Sequence, residues 1–328
     1  MLVRIFRSTS LLPPVLLFLL AGLAMVATLP VFSPAVSENG LYLYDSLVRA
    51  LGYLPTWCTA LCSSLLIFGQ AVHLNIVLNK HSVQFKASWL PALLYLVLAS
   101  LLVPVHGFSP VTIVNTLLIF VLDKLFGLYK NPTAWGMIFD AALLLSIAAL
   151  VYLPVSVLFV YLFIALALLR PLSWREWIIG LMGLAAPFFF LFVYLFLNDS
   201  LQVFLNTVLI PGIRIEPHSG QVFRSGQLIS LIVVAVFFLM SVLNAQSNYY
   251  RNVAKTRVAQ QLLLILVPFT LLTLWVAPDA AAYRVGLMII PLAVFLSYFF
   301  LAGKKSWLME LYFLALIGVW VWNRLMPS

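Results

Sequence analysis

The sequence predicts an all-α fold: a polytopic transmembrane helical bundle of about eleven spans, with a cytoplasmic N-terminus and an external C-terminus. Three observations predict it. Of 328 residues, 64% are hydrophobic and only 8% charged, with a mean hydropathy of +1.13. A soluble domain carries about 25% charged residues, and a core in water could not hide this much apolar surface. Second, the apolar residues fall into runs of roughly 20, the length that crosses about 30 Å of hydrocarbon as a helix. Third, the cationic residues sort to alternate ends of those runs.

The runs lie at approximately 11–32, 54–78, 89–105, 111–130, 134–152, 155–170, 176–197, 226–246, 258–277, 284–302 and 306–323. Helices are expected because backbone amides in lipid must be satisfied within the segment. Arg4 and Arg7 precede the first run and Gly22-Leu23-Ala24 resembles a weak cleavage site. The run nevertheless continues to Phe32, too long for a signal peptide, and reads as a retained first span. The pair 134–152 and 155–170 is one apolar stretch divided by Pro154. The loop Asn198 to Gly226 separates a seven-span block (1–197) from a four-span block (226–328), and 198–225 is expected outside.

With the N-terminus inside, the inner side receives Arg4, Arg7, Lys80, Lys86, Lys124, Lys130, Arg170, Arg175, Arg251, Lys255, Arg257, Lys304 and Lys305. The outer side receives Arg49, Arg214, Arg224, Arg284 and Arg324, so the cations favour the cytoplasm. All nine tryptophans fall near run ends, where indole rings prefer the membrane interface. The net charge of +9 does not signal nucleic acid, because the cations stand singly or in pairs between apolar runs.

Between the first two spans, Glu38 to Gly52 places Leu43, Leu47 and Leu51 on one side of a helix, with Asp45 and Arg49 four apart opposite. An amphipathic surface helix is expected there. Ser200 to Ile210 repeats the pattern with Leu201, Phe204, Leu205 and Val208. Cys58 and Cys62, four apart in an apolar run, read as small packing residues. Tyr249-Tyr250 and Arg251 to Arg257 read as an inner-surface anchor for acidic headgroups.

Charges at membrane depth are costly and are paired or functional. Spans four and five form a tight hairpin around Asn131-Pro132, so residues whose numbers sum to about 263 share a depth. Lys124 and Asp140 meet that condition and are expected to form a buried structural ion pair. The alternative reading has Asp140 line an inner cavity or carry protons. Asp123 is expected at the inner aqueous edge, and Asn75, Asn79 and Asn115 as interhelical hydrogen-bond donors. His73 and His81 lie toward the inside, whereas His106 and His218 lie outside, so no single metal cluster follows and no cofactor is implied.

Phosphate loops, G-x-S-x-G elbows and H-E-x-x-H are absent from the sequence. The polar site is therefore sought on the outer face. Arg214, Arg224 and Arg284, with His218, are the candidate substrate-binding residues, since guanidinium groups bind phosphate or carboxylate bidentately. Glu38 and Asp45 are the candidate catalytic acids, one of which would act as general base.

The segments RPLSWREW (170–177), FDAALLLSIAALVYLP (139–154), GQAVHLNIVLNKH (69–81) and IIPLAVFLSYFF (289–300) resemble a bacterial family of polytopic inner-membrane proteins. That family carries no assigned activity; its members are sometimes labelled carotene oxygenases, a label the separated histidines oppose. The resemblance implies inner-membrane residence. The many helices, early surface helix and Arg-bearing outer loop also resemble membrane glycosyltransferases and lipid-linked glycan polymerases, at the level of fold only. Three functions are compatible with the sequence. One is a non-catalytic subunit of a cell-envelope assembly, partnered by membrane lipids and other envelope proteins. The second is an enzyme on a polyprenyl-phosphate lipid at the outer leaflet. The third is a transporter or lipid flippase.

Overall fold

The computed structural model describes residues 2–8, 12–26, 44, 55–84, 86–102, 109–131, 134–170, 173–209, 225–247, 249–276, 285–303 and 306–325. Among these the regular structure is entirely helical. The α-helices are α1 (Leu2–Phe6), α2 (Leu12–Val26), α3 (Thr56–Lys80), α4 (Leu90–Leu102), α5 (Pro110–Gly127), α6 (Trp135–Val151) and α7 (Leu158–Leu169). They continue as α8 (Trp174–Leu197), α9 (Leu201–Phe204), α10 (Ser225–Ser247), α11 (Ala254–Val276), α12 (Ile289–Ala302) and α13 (Ser306–Leu325). Six apolar segments are long enough to cross a membrane: those of α3, α5, α8, α10, α11, and α12 with its preceding turn. Shorter apolar helices occupy the other five predicted runs.

Why the chain breaks where it does is local chemistry. At the start of α5, Ser109 accepts a bond from the amide of Thr112 at 3.2 Å, and Pro110 follows in the first turn where its missing amide costs nothing. Between α6 and α7, Tyr152 is extended and Leu153–Val157 forms a 3₁₀ turn with Pro154 near its start. The division expected at Pro154 is therefore a break in the helix, and it leaves α7 only 12 residues long. Helix α3 ends with Ser82 at φ 52°, with Val83 donating back to the carbonyl of Leu78 at 2.9 Å. The buried Val83 side chain completes this left-handed cap. Asp199, at φ 51°, ends α8 in the same way, with Ser200 donating to Leu195. The chain then turns into α9, whose Phe204 ring packs edge-on against Phe192 of α8, and a π-helical turn, Leu205–Leu209, follows.

Burial separates a centre from a rim. In the α12 segment 83% of the residues are buried, against 22% for α8 and for α10. Helices apolar on every side belong inside, and α4 and α12, packed against each other, form that inside. Antiparallel and parallel neighbours can be told apart by contacts. Lys124 meets Asp140 and Gly127 faces Met137, so α5 and α6 are an antiparallel hairpin. Gln70 meets Thr112 and Thr116, His73 meets Phe120 and His81 meets Asp123, so α3 and α5 run the same way. That direction is the one two helices separated by a single return helix must share.

Candidate functional site

The described polar residues gather most densely at one end of the bundle, around the loop His81 to Trp89. Elements from the whole chain converge on this loop. Gln84 and Ser297 of α12 are hydrogen-bonded, and Tyr298 donates to the carbonyl of Val83 at 2.5 Å. Thr256 of α11 donates to the carbonyl of Ser82 at 2.7 Å, and the amide of Trp89 donates to Phe6 of α1 at 2.9 Å. Beside it, Arg7 donates to the carbonyls of Phe300 and Gly303 at the C-terminal end of α12. A cation there complements the helix dipole and satisfies carbonyls that have no helical partner.

The charged centre of this end is Asp123. Its carboxylate takes the Lys80 ammonium at 3.0 and 3.2 Å and lies 2.7 Å from Nε2 of His81. Burial of the His81 ring holds its pKa below the usual value, against the opposing pull of Asp123, and the nearby Lys255 and Lys80 lower it further. The ring is accordingly neutral at pH 7, and Nε2 carries the proton donated to the carboxylate. This arrangement orients an imidazole, the geometry from which a positioned base or a ligand contact is made. Next to it lies a small gap of about 10 Å³, room for one water, whose polar lining is His81, Tyr129 and Lys255, with apolar lining from Phe126, Leu169 and Leu262. Pockets for drug-sized ligands run to roughly 300–1,000 Å³, so this gap holds no ligand of that size.

Three acids at this end are each paired: Asp123 with Lys80, Asp140 with Lys124 at 2.7 Å, and Glu176 with Arg170. Lys86, Lys130, Arg175, Lys255 and Arg257 have no carboxylate within ion-pair distance among the described residues. The end is therefore cationic. Glu176 opens α8, so besides its bond to Arg170 it complements the positive pole of that helix.

A second polar cluster lies along α3, α4 and α5. The Gln70 amide nitrogen donates to Thr112 O and to Thr116 Oγ1, both at 2.6 Å, and its oxygen accepts from the Tyr95 hydroxyl at 2.7 Å. Asn115 donates to the carbonyl of Gly286 at 3.0 Å, tying α5 to the turn before α12. These bonds are interhelical and use the polar groups to fix helix positions.

The sequence-derived candidates fare unequally. Glu38, Asp45, Arg214, His218, Arg224 and Arg284 lie outside the described residues, as do Arg49 and His106. Of the expected surface helix Glu38 to Gly52, only Tyr44 is described, and it is buried. Lys124 and Asp140 meet as their depths require, but the pair is half-exposed rather than buried, with side chains 34% and 48% accessible. The reason is that α5 and α6 present this edge of the hairpin outward. Asp123 does not simply face water; it is held by two side chains of the α3 end. Cys62 is exposed and Cys58 half-buried, so Cys62 is not an interior packing residue. Asn115 is an interhelical donor, whereas the side-chain oxygen of buried Asn75 has no partner among the described residues. No three metal-ligating side chains converge among the described residues.

Sequence reasoning passed over the His81–Asp123 contact, the Gln70 hub and the Arg7 cap. The first had a usable signal. Helices α3 and α5 share a direction, so residues offset by a constant of about 43 share a depth, and 80/123 and 81/123 satisfy it. No family model, curated protein or solved structure matches the chain.

Proposed function

We propose that the chain is a multi-span protein of the bacterial inner membrane, crossing it about eleven times with the N-terminus and the cationic end on the cytoplasmic side. Its proposed role is that of a non-catalytic integral subunit of a cell-envelope assembly, with lipids and other envelope proteins as partners. The observation that carries this reading is how the interior polar groups are used. Gln70, Tyr95, Asn115, Ser146, Thr256 and Tyr298 are engaged in bonds between segments of the chain, which lock a scaffold. Helices α8 and α10 then present long apolar faces outward, including Phe189, Phe190, Leu239 and Leu243. Such faces suit lipid and neighbouring transmembrane helices. Resemblance to the inner-membrane family fits the same reading.

Native mass spectrometry of the membrane-extracted protein tests it. A stoichiometric protein partner supports the assembly role. A polyprenyl phosphate that co-purifies and is lost in an Arg214→Ala/Arg284→Ala double variant would instead favour an outer-leaflet enzyme. For sidedness, Cys58 and Cys62 are replaced by serine and a cysteine is placed at Ser219. It should react with an impermeant reagent from the external side alone; labelling from the cytoplasmic side alone overturns the orientation.

A further inference from the structure

We propose that His81 is a proton-operated catch between α3 and α11: the neutral ring lets the first turn of α11 lie against the end of α3, and the protonated ring pushes that turn away. The proposal goes beyond the scaffold role above and does not depend on it.

Placement is the first argument. His81 follows the last residue of α3 and is buried, with 7% of the residue accessible. It meets α11 at the gap of about 10 Å³ that His81 and Lys255 both border, where one water fits and nothing larger. The titratable groups that face the ring come from each neighbouring element. Lys80 belongs to the end of α3 itself, Asp123 to α5, Tyr129 to the loop after α5, and Lys255 to α11, while α7 contributes the apolar Leu169. Asp123 already holds the Lys80 ammonium at 3.0 and 3.2 Å.

Charge decides what a proton does here. Protonation adds a third cation to Lys80 and Lys255, with Asp123 as their shared anion. The new charge faces the Lys255 ammonium across a space one water wide. It also faces the N-terminal pole of α11, whose first turn contains no acid. Both interactions are repulsive. The contact of 2.7 Å between Nε2 and Asp123 becomes an ion pair and tightens, so the ring stays with α3 and α5 and the α11 side yields. Burial opposes charge on this ring, which keeps the catch closed at neutral pH.

The first turn of α11 is lightly held. Among the described residues its polar tie to the loop is the Thr256 hydroxyl, which donates to the carbonyl of Ser82, next to His81, at 2.7 Å. Further along, Ala259 and Leu262 are buried and anchor the rest of the helix. The same loop is fastened to α12 by uncharged bonds, from Tyr298 to Val83 and from Gln84 to Ser297, which a proton on His81 leaves intact. Acid should therefore part α11 from the loop and leave α12 in place.

The test uses the full-length protein in detergent, with Cys58 and Cys62 replaced by serine. Nitroxide labels are attached to cysteines placed at Ala87, in the loop, and Val253, just before α11, both of which are exposed. Distances between the labels are measured by double electron-electron resonance at pH 7.5 and pH 5.0. On acidification a second, longer distance should appear, its population rising about fivefold, the ratio expected from one added unit charge across a water-sized gap. His81→Gln still donates to Asp123 but cannot charge, and should keep the short distance at both pH values. Lys255→Met, which removes the ammonium and keeps much of the side-chain length, should keep it too. A label pair on Ala87 and Ala302, at the end of α12, should not change. Thermal midpoints at pH 7.5 establish that each variant is folded before it is compared. A wild-type distance unchanged at pH 5.0 overturns the proposal. So does a lengthening that persists in His81→Gln or in Lys255→Met, or one that appears equally in the α12 pair. Detergent leaves both ends of the protein open to the buffer, so the outcome is independent of which side of the membrane this end faces.

Discussion

The guanidinium of Arg7 donates a hydrogen bond of 3.1 Å to the carbonyl of Gly303, 296 residues further along the chain. A second bond from the same nitrogen goes to Phe300. One side chain from the N-terminal segment thereby closes the last turn of the most buried helix. Arg7→Ala leaves those carbonyls without the cation, and hydrogen bonds to charged groups contribute about 1.5–3 kcal/mol each. Both bonds come from one nitrogen of a half-buried side chain, so the expected loss is that of about one such bond, about 2 kcal/mol, read as a lowered thermal midpoint in detergent. Arg7→Lys should recover only part of it, because an ammonium cannot present the flat fork of a guanidinium. A midpoint unchanged in Arg7→Ala would show that the contact is idle.

Two ion pairs near this end should behave differently, because exposure decides their worth. Lys124 and Asp140 are 34% and 48% accessible, whereas Arg170 and Glu176 are 12% and 11%. Exposed pairs contribute about 0–1 kcal/mol, while removing one partner of a buried pair costs about 3–5 kcal/mol. Asp140→Ala is therefore expected to cost under about 1 kcal/mol, and that small effect should vanish in molar salt. Glu176→Ala should cost about 3 kcal/mol and persist in salt. Equilibrium unfolding of both variants at two ionic strengths checks the order; the reverse order refutes the argument from exposure.

Depth was legible in the sequence wherever a short loop tied two helices together. The hairpin at Asn131 set a numerical sum that places Lys124 beside Asp140, and the structure adds Gly127 beside Met137 at the same sum. Element type was legible because continuous apolar runs of this length admit little else. Lateral neighbours were not. Nothing in the sequence says that α12 packs on α4, since both are apolar all round and offer no periodic face to match. Arg7 and Gly303 meet only because of that packing. The half-exposure of Lys124 and Asp140 was hidden for the same reason: depth along the bundle axis follows from residue count, but distance from that axis follows from which helices are neighbours.

Close packing of α6 on α8 depends on Gly183. A Cβ there would stand 2.7 Å from Cβ of Ala142 and 2.8 Å from the carbonyl oxygen of Phe139. The second neighbour is backbone and cannot rotate aside, so the helices must separate. Overpacking of this kind costs about 1–3 kcal/mol, the expected loss in Gly183→Ala. Gly318 in α13 is the control, with open space around its would-be Cβ. Gly318→Ala should be neutral or stabilising by up to about 1 kcal/mol, through helix propensity alone. Equal losses in the two variants would mean that propensity, not the α6–α8 contact, governs both.

His81 should make stability depend on pH, with a definite sign. The groups that act on it are Asp123, Lys80 and Lys255, and burial outweighs the carboxylate, so its folded pKa lies below the unfolded value. The unfolded chain therefore takes up the proton first as pH falls through about 6.5. Stability is complete above that range and declines as the medium becomes more acidic, until the folded ring also protonates. The slope from this one group is at most about 1.4 kcal/mol per pH unit. His81→Gln keeps a donor toward Asp123 but cannot titrate, so its melting temperature should fall less between pH 7.5 and 5.5 than that of the wild type. Parallel curves for the two proteins would show that the ring takes up its proton over the same pH range folded and unfolded, and that its burial beside Asp123 has no energetic consequence.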